Sequence, residues 1–305
     1  MGVVLAKLIN GKARLNSFGV RAAFTSMKLY RTTAGIVLEK DGQAKLLAQS
    51  NWDAYINRDS LFEATLADFD HEQAEAKPLG WLASQHILAP IQGQEIWASG
   101  VTYLRSRDAR MDESKDSGGD SFYDNVYDAE RPELFFKATS QRTVGTNDAV
   151  RIRRDSTWDV PEPELTLFVT SSGKVVGYTV GNDMSSRSIE GENPLYLPQA
   201  KSYDRCAALG PCLYIPGQPI SPDTQISLTI ERGGEPQFAQ QILISQMKRS
   251  HTELVSYLFR ECSFPAGVFL MTGTGIVPPN TFTLQSGDRI TITIDEIGTL
   301  ANWVE

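Results

Sequence analysis

The sequence predicts an α+β fold in which strands dominate. Short runs rich in Val, Ile, Leu and Thr recur between glycine-containing turns, as in 165–180 and 225–235. Apolar residues at helical spacing occur mainly in two places, 60–69 and 251–260. The 305 residues, 41% hydrophobic and 22% charged, are enough for a sizeable core in one large domain or two.

Met1–Ser26 reads as an extension, non-native or disordered, because Met27-Lys28-Leu29-Tyr30 has the character of a natural start. Its basic, acid-free composition also suits a transit-like presequence. Residues 27–90 form the expected small N-terminal α+β domain. In it, 28–47 reads as a hairpin turning at Asp41-Gly42, and 60–68 as a helix with Asp59-Ser60 at its cap. Residues 91–305 form the expected mixed-β domain. Ile96–Tyr103 reads as a strand ending in a loop, and 104–131 as a helix followed by a long polar loop of the kind that covers sites. Pro132–Ala138 reads as a further strand, and Arg151–Arg154 as a basic run facing either an anion or solvent. Residues 193–204, with Pro194 and Pro198, read as an ordered loop without helix. The segments 209–215, 225–231, 268–271 and 287–294 read as strands, with a turn at Gly233-Gly234 and a helix from His251.

Composition excludes several classes of function. A net charge of −8 disfavours nucleic acid as a partner. No apolar run approaches membrane-spanning length. Cys206, Cys212 and Cys262 are too scattered for a disulfide framework or a C-x-x-C metal site, which fits a reducing, cytoplasmic setting. His71, His86 and His251 have no acid or Cys pattern beside them and read as surface or packing residues.

Chemistry concentrates in Glu162-Pro163-Glu164 and Gly181-Asn182-Asp183. Residues i and i+2 of a strand point to one face, so Glu162 and Glu164 lie side by side. With the turn near Ser172-Gly173, partners across the hairpin sum to about 345 in residue number, which sets Glu162 opposite Asp183. Three carboxylates at one hairpin end repel one another, and a hard divalent cation would relieve them. On the residues alone, a solvated edge strand is an equal reading. Lys201 could act as acid or base beside such a metal if desolvated, although most lysines are simply solvated. The glycines of Thr272-Gly273-Thr274-Gly275 would let backbone amides approach a ligand, with Thr274 supplying a hydroxyl.

Taken in order, Gly100-Val101-Thr102-Tyr103, Pro161–Leu165, Asn182–Arg187, Lys201-Ser202-Tyr203-Asp204, Leu209-Gly210-Pro211 and Thr272-Gly273-Thr274 resemble the fumarylacetoacetate hydrolase family. The resemblance runs from about residue 96 to the end. It implies a mixed β-sandwich roll for the C-terminal domain, with Mg²⁺ on Glu162, Glu164 and Asp183 and with Mn²⁺ or Ca²⁺ as substitutes. It also implies a homo-oligomer, dimer or tetramer. Hydrolase members carry a His shortly after the Gly-x-x-Tyr element, and Tyr103–Arg110 has none. The blocks Arg131–Lys137 and Glu192–Lys201 are instead similar to the sugar-acid dehydratase branch.

That branch implies a hydro-lyase of pentose catabolism, converting a 2-keto-3-deoxy-pentonate of xylonate or arabinonate type to 2-oxoglutarate semialdehyde. Glu133 and Lys201 would be its acid/base pair, and Thr274 would orient the substrate. Tyr103, Gly273, Arg105 and Arg107 would bind the small-molecule sugar acid. The competing expectations are a Mg²⁺-dependent C–C hydrolase of an acylpyruvate-like diketone, a 2-oxo acid decarboxylase and a non-catalytic binding protein on the same scaffold.

Overall fold

The computed structural model describes residues 26–71, 74–78, 80–113 and 125–305. The expected extension lies outside them except for Ser26, as do Gly118-Gly119 in the polar stretch.

Apolar residues on both faces of the strand Pro163–Val169 place it at the centre of a sheet. Leu165, Leu167 and Val169 enter one core, and Phe168 enters the other. On one side this strand pairs antiparallel with Val175–Asp183, and on the other with Val268–Met271. The sheet continues from Val175–Asp183 to Ala207–Pro216, then to Ser26–Thr32, Gly35–Lys40, Gln43–Leu46 and Glu75–Ala76. Its other flank runs from Val268–Met271 through Glu95–Gly100 to the edge strand Glu133–Thr139.

A second sheet orders Glu235–Leu243, Gln225–Arg232, Arg289–Ile294, Gly298–Val304 and Ala149–Val150. Alternation in Gln225–Arg232 and Arg289–Ile294 sends Ile226, Leu228, Ile230, Ile290, Ile292 and Ile294 into the core that receives Leu165 and Leu167. Two sheets thus face one another, and both contain parallel and antiparallel pairs. This is the mixed β-sandwich expected. The opposite face of the large sheet is covered by Trp52–Ile56 and Leu61–Asp70, whose Trp52, Tyr55 and Leu61 pack with Phe168, Leu213 and Phe269. The N-terminal strands therefore extend the large sheet through Ser26–Thr32 against Ala207–Pro216.

Most local expectations hold. The hairpin turns at Asp41-Gly42 and Gly233-Gly234 form, and His251–Leu258 is a helix with Ser250 at its cap. Leu104–Glu113 is the helix opening the polar stretch. Ser60 occupies the N-cap of Leu61–Asp70 but makes no capping bond. Asp59 instead accepts from the Thr170 and Ser172 hydroxyls. The segment 193–204 departs from the loop expected. Pro194 opens a 3₁₀ turn, Pro194–Tyr196, and Pro198 sits in the first turn of the helix Leu197–Lys201. Proline is tolerated there because the first amides of a helix have no intrahelical acceptor. Among the described residues, no helix is long and apolar enough to cross a membrane.

Candidate metal and acid/base site

The hairpin has the register that alternation predicts. Pro163 pairs with Asn182 and Glu164 with Gly181, and the single irregularity falls at Phe168/Val169, at the turn end. Pro163 begins its strand, where its missing N–H costs no ladder bond. Glu162, Glu164 and Asp183 are all buried, and one ligand oxygen from each lies within 4.8 Å of the others. The solvated-edge alternative fails because this hairpin is the middle of the sheet.

Burying three carboxylates demands counter-charge. Lys201, the last residue of its short helix, donates to Glu162 Oε2 at 2.7 Å, Asp183 Oδ2 at 3.1 Å and Ser185 Oγ at 2.6 Å. Its ammonium also lies 5.7 Å from the Phe135 ring centroid. Arg187, at the start of Arg187–Glu192, donates to Glu162 Oε1 at 2.7 Å. Lys137, fully buried, lies 2.5 Å from Asp183 Oδ1. Glu164 accepts from the Gly273 amide at 2.6 Å. Burial, then the charges of Asp183 and Glu162, push its carboxyl well above the ordinary range, against the pull of Lys201 and the Gly273 amide.

Only glycine fits at 273. Its φ is +93°, and a Cβ there would lie 2.0 Å from Thr102 Oγ1. Gly100 has a different constraint, because a Cβ would meet Glu133 Oε2 at 1.9 Å. The Glu133 carboxyl thus lies over Gly100. Glu133 and Phe135 alternate onto one face of their strand, which sets Glu133 on the side where Phe135 meets Lys201, and a bulge between Phe136 and Ala138 interrupts the alternation at Lys137.

The remaining candidates are less uniform. Tyr103 is buried, its hydroxyl has no hydrogen-bond partner among the described residues, and burial together with Glu164 pushes its ionisation up. Thr274 Oγ1 accepts from Ile276 N–H at 3.1 Å, inside its own loop. Arg107 pairs with Asp108 and covers the Tyr127 ring. Arg105 is exposed. Arg151 and Arg153, in the basic run with an anion or solvent as its expected neighbour, pair with Glu305 and Asp155. His251 packs against Tyr178, and burial lowers its pKa. Lys137, Ser185 and Arg187 received no role from sequence reasoning. For Ser185 and Arg187 the available signal was proximity to Asp183, whereas Lys137 sits at a bulge that breaks strand parity and had no local signal.

An all-oxygen, buried donor set of this size suits a hard dication such as Mg²⁺. The carboxylates Glu162, Glu164 and Asp183 are matched in number by the cations Lys137, Lys201 and Arg187.

Residues 96–305 match the family model described as fumarylacetoacetate (FAA) hydrolase, C-terminal. A probable 2-keto-3-deoxyxylonate dehydratase of Haloferax volcanii is 54% identical over 221 residues, 72% of this chain and 75% of that protein. A 2-dehydro-3-deoxy-D-arabinonate dehydratase of Saccharolobus solfataricus is 43% identical over 216 residues, 70% of this chain and 72% of the relative. Among solved structures, 2-keto-3-deoxy-D-arabinonate dehydratase complexed with magnesium and 2,5-dioxopentanoate superposes with a TM-score of 0.73 at 31% identity. That alignment covers 92% of this chain and 98% of the other.

Proposed function

Because this chain belongs to the fumarylacetoacetate hydrolase family, we propose that it is a Mg²⁺-dependent hydro-lyase. It dehydrates a 2-keto-3-deoxy-pentonate of xylonate or arabinonate type to 2-oxoglutarate semialdehyde. The observation that carries this is the buried Glu162, Glu164 and Asp183 set with the Lys201 ammonium bonded to two of its members. Two relatives named as dehydratases of such acids support the substrate class. A magnesium-bound structural neighbour supports the cofactor.

Glu162, Glu164 and Asp183 would hold Mg²⁺, which would supply a Lewis acid that acidifies the protons beside the substrate's ketone. The chain's own groups then move protons. Glu133 and Lys201 form the acid/base pair: removal of a C3 proton and protonation of the C4 hydroxyl release water and leave a C3–C4 double bond. Loss of a C5 proton and reprotonation along the chain convert the C5 carbinol to the aldehyde. The buried Tyr103 hydroxyl and the Gly273 loop line the reacting end, and Thr274 braces that loop through Ile276. Arg105 and Arg107, on the helix that begins beside Tyr103, are the substrate-carboxylate candidates.

Activity is tested with Mg²⁺ and a racemic 2-keto-3-deoxy-pentonate, coupled to an NAD(P)-dependent aldehyde dehydrogenase. Nucleotide reduction that requires the protein and disappears with chelator is the expected result. Loss of acylpyruvate absorbance instead would return the chain to C–C hydrolysis. The enzyme acts in the cytoplasm as a dimer or tetramer in this proposal. Leu195, 83% exposed, and the adjacent exposed Tyr196 support association. Sedimentation velocity that reports a monomer at micromolar concentration would contradict it.

A further inference from the structure

We propose that Lys137 is a positioning residue that registers the metal ligand Asp183 and the acid/base group Lys201 to Glu133. This rests on the metal assignment above and goes beyond it, because Lys137 acts through Asp183 and Lys201, the residues it contacts.

The geometry is specific. Lys137 Nζ lies 2.5 Å from Asp183 Oδ1, donates to Met184 O at 2.9 Å and donates to Lys201 O. Two of its three donors go to these main-chain carbonyls, and its charge is paired with the Asp183 carboxylate. Lys137 thus holds one oxygen of Asp183 while Lys201 holds the other. Its main chain is tied to the same region, since its carbonyl accepts from Ser202 Oγ at 2.7 Å. These links join three separate elements: the edge strand that carries Glu133, the hairpin end that carries Asp183, and the helix that ends at Lys201.

The edge strand needs such a tie. Among the described residues, Glu133–Thr139 is hydrogen-bonded as a strand only to Glu95–Gly100. Lys137 lies four residues beyond Glu133 on the same edge strand, at a bulge between Phe136 and Ala138, so fixing its ammonium against Asp183 and Lys201 anchors the strand that carries Glu133. Stability does not explain the residue well, because apolar side chains commonly replace a buried ion pair without loss. The cost of a fully buried lysine is consistent with a requirement for orientation.

The test is Mg²⁺ binding by calorimetry to wild type, Lys137→Met and Lys137→Arg, with thermal melting of each. Removing a cation beside a dication should tighten binding if charge were all that mattered. Loss of orientation should instead weaken it. The expected result for Lys137→Met is Mg²⁺ affinity lower by about 10- to 100-fold, the range for partners that orient a ligand, with partial recovery in Lys137→Arg. Mg²⁺ affinity in Lys137→Met equal to wild type or tighter overturns the proposal, whatever happens to turnover. If neither variant folds, Lys137 serves the fold and the positioning role is also lost. Absence of Mg²⁺ binding by the wild type would instead overturn the metal assignment, so the two failures are distinguishable.

Discussion

Glu162 and Asp183 form a hydrogen-bonded antiparallel pair: each amide donates to the other's carbonyl, at 3.2 and 3.0 Å. Directly opposed residues send their side chains to the same face of the ladder. Two carboxylates are therefore brought together by main-chain pairing, and Glu164 joins them by parity. The cluster is fixed by the backbone before any side chain chooses a rotamer.

Glu164→Gln follows from this. The substitution keeps an acceptor for the Gly273 amide and removes a carboxyl whose ionised form burial and the neighbouring carboxylates disfavour. Mg²⁺ binding is expected to disappear and kcat/KM to fall by at least about 100-fold. Metal-free protein should nevertheless melt higher than wild type at neutral pH, by about 2–4 °C for each kcal/mol of relieved repulsion. Scanning fluorimetry in chelator checks this, and a lower transition than wild type would refute the account of Glu164.

Gly100→Ala isolates Glu133. The added methyl would meet the end of the Glu133 side chain, which can swing aside. Folding and Mg²⁺ affinity are expected to stay near wild type while kcat falls by about 100-fold, the scale of a 1 Å misplacement. Calorimetry and steady-state kinetics on one preparation separate these outcomes. Unchanged kcat would remove Glu133 from the acid/base pair.

Gly273→Ala acts on both fold and site. It imposes a left-handed backbone on alanine and a collision with Thr102. Destabilisation of about 1–3 kcal/mol from the backbone alone, together with loss of Mg²⁺ affinity as the amide leaves Glu164, should appear in urea titration and calorimetry.

Asp159 gives a pH dependence away from the metal ligands. Burial pushes its carboxyl from its ordinary 3.8 up to about 6, against the Ser156 hydroxyl, a backbone amide and Arg153. The folded protein therefore binds the proton more tightly than the unfolded chain, and stability is lost as pH rises through this window. Asp159→Asn is expected to melt with wild type near pH 3.8, to gain over it progressively up to about pH 6, and to hold a constant advantage above. Melting profiles that stay parallel across this range would contradict it.

Much of this architecture was legible in short stretches of sequence. The turns at Asp41-Gly42, Gly173 and Gly233-Gly234 and the alternation of 225–232 and 289–294 declared themselves, because strand period and turn chemistry act over a few residues. The segment 193–201 did not, since two prolines signal a break equally well at a loop and at the first turn of a helix. Lys201 illustrates the intermediate case. Its place in a motif marked it, while its helix-terminal position and its three acceptors were not readable.

The sequence by itself determined the hairpin, its register and hence the meeting of Glu162, Glu164 and Asp183. These depend on local pairing and on a side-chain period of two. Only the tertiary structure decided how their charge is borne. Lys201 reaches Glu162 from 39 positions away, and Lys137 reaches Met184 from 47. A buried ion's partners are set by which elements pack around it and at what depth. Neither property has a local signature in the chain.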